Sequence, residues 1–207
     1  MLTLPRGMSM GGGTYLDFMM PGLLALSAMN NSFGPVSTSV NVSKLYTKTI
    51  EEILVSPISP WSIALGRALV GTVRGLFSAS LLMIIGAFSG VHMDLSPAFI
   101  LVLALTAFCF ASGAVAAAMV AKSHEDMSNF NSFVIIPMSF LSGTFFAPDK
   151  LPEPFHSMVL VYPLTHASLV LRTLAGGRTP DLASILILAA YSALFFYLAG
   201  RMMKRVV

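Results

Sequence analysis

Five stretches of the chain run without a charged side chain for long enough to cross a bilayer: residues 18–43, 75–93, 95–121, 127–148 and 182–200. A hydrocarbon core about 30 Å thick needs roughly 20 consecutive apolar residues in a helix. None of the five alternates apolar and polar positions as a barrel strand does, so the pattern predicts helices. With flanking residues taken into account, the expected spans are 18–42, 68–92, 97–121, 129–148 and 181–200. The first is the most polar, with Pro21, Asn30, Asn31, Ser32 and Pro35, and is expected to face protein rather than lipid. Ser59-Pro60, Ser96-Pro97 and Thr179-Pro180 each offer a hydroxyl at the N-cap and a proline at the first helical position. Gly176-Gly177 is a stop signal for a short helix over 165–175.

Two connectors are too patterned to be plain loops. In residues 43–60, Tyr46, Ile50, Ile53 and Leu54 share one helical face, while Lys44, Lys48, Glu51 and Glu52 lie off it. This predicts an amphipathic helix over about 43–56, ended by Pro57. It either lies in the headgroup layer or docks a soluble partner, and two acids beside two lysines suit a protein surface better than an anionic lipid. Residues 149–181 are too apolar for a solvated loop, yet Pro152, Pro154 and Pro163 cut them into pieces too short to span. They predict short outer helices over about 152–175 that dip into the outer leaflet or cap the bundle. Within the spans, Gly71-xxx-Gly75, Gly86-xxx-Gly90 and Gly113-xxx-Ala117 permit close helix packing, and Pro137 permits a kink.

Composition agrees with a membrane protein. Of 207 residues 56% are apolar and 10% charged, where soluble domains carry about 25% charged residues. Mean hydropathy is +0.81. A cytosolic globule, a disordered tail and a secreted disulfide scaffold are all excluded. Cys109 is the single cysteine and has no internal partner. The net charge of +3 forms no basic patch with interleaved aromatics, so nucleic acid is not an expected partner. Lys44, Lys48, Arg67, Arg74, Lys122, Arg201, Lys204 and Arg205 all fall on one side of the five-span arrangement, against Arg6, Lys150, Arg172 and Arg178 on the other. The basic bias places the C-terminus in the cytoplasm and the N-terminus outside. Residues 1–17 lack the apolar core of a signal peptide.

Catalytic chemistry finds little to build on. His124-Glu125-Asp126 is a dense titratable cluster without further ligands at metal-binding spacing, and it reads as a solvated cytoplasmic turn. His92 with Asp94 reads as an interfacial turn. No His-Glu-x-x-His pair occurs, and Gly11-Gly12-Gly13 is not followed by the Gly-Lys-Ser/Thr of a phosphate loop. The expectation is no catalytic residue, no metal and no cofactor bound by this chain. If it does energised work, another chain hydrolyses the nucleotide.

Four stretches, in order, carry a resemblance to a family. They are Tyr15-Leu16-Asp17-Phe18 with Pro21-Gly22, Glu51-Glu52-Ile53-Leu54-Val55-Ser56-Pro57 with Gly66-Arg67, Phe140-Leu141-Ser142-Gly143-Thr144-Phe145-Phe146 with Leu151-Pro152, and Tyr162-Pro163-Leu164-Thr165-His166 with Arg172. The set resembles the ABC-2 type permeases, the membrane subunits of ATP-driven exporters of drugs, lipids and polysaccharides. That family has six spans and a cytoplasmic N-terminus, so the first span is expected to be missing here. His166 stands where the family motif carries tyrosine.

The resemblance implies an all-α transmembrane bundle in the bacterial inner membrane that exports an amphiphile. It implies a cytoplasmic ABC ATPase subunit that holds ATP and Mg, and a second permease copy as partners. Coupling to the ATPase would fall to Tyr46, Ile50, Glu51, Glu52, Leu54 and Pro57. Arg67 and Arg74, seven apart on one helix face, would anchor the inner end or admit an acidic substrate head group. Asn30, Asn31 and Ser32 would line the pathway, and Leu151, Pro152, Pro163 and His166 an outer gate. An ion-coupled carrier or channel, or a membrane-embedded transferase or hydrolase, are the alternative readings. A carrier would want acids within spans, and every Asp and Glu here lies at or beyond a predicted span end.

Overall fold

The computed structural model describes residues 15–48, 58–91, 93–142 and 159–204. Every regular element among them is helical. The order is α1 (Tyr15–Leu45), α2 (Pro60–Phe88), α3 (Pro97–Val120), α4 (His124–Phe130), a π-helical turn (Asn131–Ile135), α5 (Ile136–Leu141), α6 (Pro163–Ala175) and α7 (Leu182–Lys204).

Three helices, α2, α3 and α7, are long and apolar enough to cross a membrane. The sequence pattern led to five. α1 has the length, at 31 residues, but not the hydropathy, because a string of Asn, Ser and Thr runs through it. The helical stretch that enters the fourth expected span, 129–148, starts at His124, changes register at the π turn and is described only to Ser142. α2 starts at Pro60, where the Ser59-Pro60 cap is expected to open it, runs through most of the expected span 68–92 and ends at Phe88. Absence of charge marks the part of a helix that lipid tolerates, whereas the Ser59-Pro60 cap marks where the helix starts. Residues 43–45 belong to the last turn of α1 and not to a separate amphipathic helix, and Lys48 turns the chain with φ +51°. The rest of that predicted helix, 49–56, lies outside the described residues.

Caps explain the well-placed boundaries. Ser96 accepts the backbone N–H of Phe99 at 3.2 Å and opens α3 where expected. Thr179-Pro180 does not open α7: Asp181 accepts from the N–H of Ala183 at 3.2 Å, and the helix begins at Leu182. α6 stops at Ala175, with Gly177 left-handed at φ +65°, as the glycine pair implied.

α3 is the axis of the bundle and packs against α1, α2, α6 and α7. It is buried along most of its length, while α2 and α7 expose most of theirs. Lipid tails are as apolar as the side chains they would replace, so close backbone approach and van der Waals contact hold such helices together. Gly71 and Gly75 supply the approach. A Cβ at Gly71 would lie 2.6 Å from Val36 Cγ2 and 2.7 Å from Ala111 Cβ, and one at Gly75 would lie 2.8 Å from the Ala28 carbonyl oxygen. This Gly-xxx-Gly pair is thus an internal seam joining α1, α2 and α3. The Gly86-xxx-Gly90 pair is not a packing seam: Gly86 faces the Met20 side chain, but Gly90 sits in the turn after α2 with open space around it. Gly113 accommodates the ring of Phe195 on α7.

Candidate functional site

The bundle has two ends of different construction. At one end the C-termini of α1, α3 and α7 meet the N-termini of α2 and α4. Lys44 donates to the carbonyls of Met119 and Ala121 at 2.6 and 2.8 Å, and Asn41 donates to that of Ser123 at 3.4 Å. Trp61 packs on Phe196 and Tyr197 with ring centroids 5.8 and 5.9 Å apart, and its ring covers Gly200. Arg67 donates to Ser39 Oγ at 2.9 Å and Ser43 Oγ at 3.2 Å, tying α2 to α1. Lys44, Arg67, Lys122, Arg201 and Lys204 all belong to this end, which the basic bias assigns to the cytoplasm.

Asp126 completes a capping box there. Ser123 Oγ accepts the N–H of Asp126 at 3.0 Å, and the Asp126 carboxylate accepts the N–H groups of Lys122 and Ser123 at 2.9 and 3.2 Å. The Lys122 backbone N–H is the main cause that holds this carboxyl below the usual range. The His124-Glu125-Asp126 cluster is therefore helix-start chemistry. Among the described residues no group of three His, Cys, Asp or Glu side chains is placed to hold a metal ion.

At the opposite end Asp94 N–H donates to the carbonyl of Ala175 at 3.1 Å, joining the α2–α3 turn to the end of α6. The start of α6 lies deeper. Tyr191, ten residues into α7, donates its hydroxyl to the Val161 carbonyl at 2.8 Å. Nine residues of helix rise about 13.5 Å, which sets the Val159–Tyr162 turn well below the end of α7. α6 then climbs back, with Leu164, His166, Val170 and Leu171 buried. His166 is held between the Leu160 carbonyl, 2.9 Å from Nε2, and Ser184 Oγ, 3.4 Å from Nδ1. Ser168 Oγ donates to the Ser142 carbonyl at 3.2 Å and so ties α6 to the end of α5.

Among the described residues, two cavities bear on the site. The larger, about 600 Å³, lies between α3, the α4–π–α5 segment and α7. Its wall is almost wholly apolar, from Phe110, Phe130, Met138 and Phe195 among others, and Lys122 and Asp126 stand at its inner mouth. The smaller, about 420 Å³, is a cleft between α1 and α2 whose lining includes Arg67, Arg74, Ser39 and Val70.

The sequence-derived candidates scatter accordingly. Tyr46 is exposed just beyond α1, while Ile50, Glu51, Glu52, Leu54 and Pro57 lie outside the described residues. Arg67 and Arg74 meet in one cleft. Asn30 and Asn31 are exposed, but Ser32 is fully buried against the glycine seam and donates to the Met29 carbonyl at 3.1 Å. Ser32 therefore does not share a wall with the two asparagines, because consecutive helical positions point to different faces. Leu151 and Pro152 lie outside the described residues, and Pro163 and His166 are buried in α6. Sequence reasoning did not find the large cavity. Its wall comes from segments far apart in the chain, and the only local signal was the small-residue run Gly113–Ala118.

A family model described as ABC-2 type transporter matches residues 6–175. The chain is 31% identical over 158 residues to the inner membrane transport permease YadH of Escherichia coli (strain K12), a match covering 76% of this chain and 61% of that protein. It is 28% identical over 205 residues to Nodulation protein J of Rhizobium meliloti (strain 1021), covering 96% and 78%. Against Nodulation protein J of Sinorhizobium fredii (strain NBRC 101917 / NGR234) the identity is 26% over 200 residues, covering 94% and 76%. The chain thus aligns with about three fifths of the length of the permease relative.

Proposed function

Because the chain belongs to the ABC-2 type transporter family, we propose that it is the membrane-spanning permease subunit of an ATP-driven exporter in the bacterial inner membrane. The family match over residues 6–175 carries this reading, and three apolar helices long enough to span support its membrane part. The permease works with a separate cytoplasmic ATPase subunit, which holds ATP and Mg, and pairs with a second permease.

Force enters at the end where Lys44, Arg67 and Trp61 bind the helix termini together. The chain leaves α1 there at Tyr46–Lys48 and returns at Ile58 to start α2. The intervening Ile50, Glu51, Glu52, Leu54 and Pro57, with exposed Tyr46, form the surface that the ATPase grips. A push on this segment is passed directly to α1 and α2, and through the Lys44 cap to α3. At the other end, the Val159–Tyr162 turn and α6 form a re-entrant element that closes the exit. Its descent beside Tyr191 and its buried His166 support that role. Asn30 and Asn31, exposed on α1, face the route between the paired permeases. The substrate is an amphiphile, a class suited to the apolar cavity with polar groups at its inner mouth.

The test is co-expression with the cognate ATPase subunit. Replacing Glu51 and Glu52 with Lys is expected to abolish co-purification and ATP-dependent export from membrane vesicles. Unchanged association together with unchanged export would overturn the coupling role.

A further inference from the structure

Arg67 and Arg74 were open to two readings, an anchor at the headgroups or a binding site for an acid. Their positions on α2 separate the two. Arg67 is the eighth residue of the helix and is tied to Ser39 and Ser43 of α1. Arg74 lies seven residues farther in, about 10 Å along the axis at 1.5 Å per residue. Around it α2 turns Val70, Val73 and Phe77 outward, the last with 65% of its surface exposed. Arg74 is itself exposed and forms no hydrogen bond among the described residues. A cation about four turns from the start of an apolar helix is expensive and marks a function by default.

Nothing described in this chain neutralises it. The acids of α1 and α2 come to one, Asp17, in the first turn of α1 at the far end of the bundle. In a second copy of the chain the described acids are likewise Asp17, at the far end of α1, and Asp94, Glu125, Asp126 and Asp181, which lie outside α1, α2, α3 and α7. Among the described residues no carboxylate lines the cleft, so its two guanidiniums present an unbalanced positive charge to whatever enters it. The cleft is shaped for an anion: Arg74 supplies unused donors, and Arg67 spends two N–H groups on serines and keeps others. Ser39 Oγ accepts from Arg67 and keeps its own hydrogen to donate. The walls between them, Pro35, Val36, Ile63 and Val70, are apolar and continue into the outward face of α2.

We infer that the α1–α2 cleft binds an anionic phospholipid of the surrounding bilayer. Its phosphate is held by Arg67, Arg74 and Ser39, and its acyl chains run along Val70, Val73 and Phe77. A soluble anion would gain nothing from that apolar face, whereas a lipid reaches the cleft sideways from the membrane. The site belongs to this chain alone and stands whether or not an ATPase is attached.

The experiment uses the full chain in phosphatidylcholine nanodiscs containing a minor fraction of phosphatidylglycerol, with retained lipid counted by native mass spectrometry. Wild type is expected to retain phosphatidylglycerol over phosphatidylcholine by roughly thirtyfold, the order two basic contacts give at a membrane surface. Arg74→Gln is expected to remove most of that preference and Arg74→Lys to keep part of it. Gly66 lines the cleft, and a Cβ added there meets nothing within 4 Å beyond its chain neighbours, so Gly66→Leu occupies the cleft while keeping both arginines. It is expected to remove the preference with the thermal midpoint unchanged. Added inorganic phosphate is expected not to displace the lipid. A wild type without preference, a preference that survives both Arg74→Gln and Gly66→Leu, or displacement by phosphate alone would each overturn the assignment.

Discussion

Lys44, in the last turn of α1, closes the carboxyl end of α3 by donating its ammonium to the carbonyl of Ala121 at 2.8 Å, with a second bond to Met119. The last carbonyls of a helix have no partner within it, and the macrodipole makes that end negative. One cation thus satisfies two orphan acceptors and fixes the end of one helix to the end of another. The segment proposed to meet the ATPase starts a few residues later, so this cap sets how firmly α3 follows its movement.

Replacing Lys44 by Met keeps the length of the side chain and removes the donor. Hydrogen bonds to a charged group contribute about 1.5–3 kcal/mol, less where water reaches them, so a loss of about 1–2 kcal/mol is expected. For a chain of this size that is a fall of a few degrees in Tm in detergent. With the ATPase present, association is expected to persist while ATP hydrolysis loses its dependence on substrate. An unchanged Tm and intact coupling would show that the cap transmits nothing.

The glycines of α2 predict opposite outcomes within two turns of each other. A Cβ at Gly71 would meet Val36 and Ala111 below 3 Å, on two different helices that cannot both yield. Gly71→Leu is expected to destabilise by about 1–3 kcal/mol or more, as overpacking does. At Gly66 nothing lies within 4 Å, so Gly66→Ala is expected to be neutral or to stabilise by up to about 1 kcal/mol through helix propensity. Thermal unfolding of the two variants side by side reads the contrast.

Asp126 predicts a pH dependence with a definite sign. Bonds from the Lys122 and Ser123 N–H groups hold its folded pKa below the unfolded one. Its stabilisation is therefore fully present above the ordinary carboxylate pKa and is lost as pH falls through the folded value. Asp126→Asn is expected to lower Tm at pH 7, and the gap between variant and wild type is expected to close as pH falls through the depressed folded value. A gap that stayed constant down to acid pH would mean the box contributes through packing and not through charge.

Much of this architecture was legible because local chemistry decides it. Ser96-Pro97 opens α3 and Gly176-Gly177 closes α6, each through bonds made within a few residues. Charge-free runs and caps report different things: lack of charge marks where lipid is tolerated, while α2 opens at the expected Ser59-Pro60 cap, two turns ahead of Arg67, whose guanidinium Ser39 and Ser43 engage. Polarity alone groups Ser32 with Asn30 and Asn31, but the glycines of α2 draw it into the seam. The register change at the π turn, where Ile136 N–H reaches back to the Asn131 carbonyl, sits just before Pro137. The proline signalled a kink there, but the width of the turn depends on neighbours that no local pattern names.

Trp61 is the chain's single tryptophan, so it reports on its own packing. Its ring lies over Gly200, where an added Cβ would run into the ring carbons Cε3 and Cζ3. Gly200→Ala gains up to about 1 kcal/mol in helix propensity but must displace the indole from Phe196 and Tyr197. Because overpacking costs about 1–3 kcal/mol, the net expectation is a lower Tm together with a shifted Trp61 emission maximum. Adding Trp61→Leu should remove the clash, so that Gly200→Ala in that background no longer destabilises. The coupling between the two changes is then about 1 kcal/mol or more, as contacting residues show. Additive effects of the two substitutions would mean that α2 and α7 are not joined through this contact, and that their inner ends move independently when the ATPase pulls.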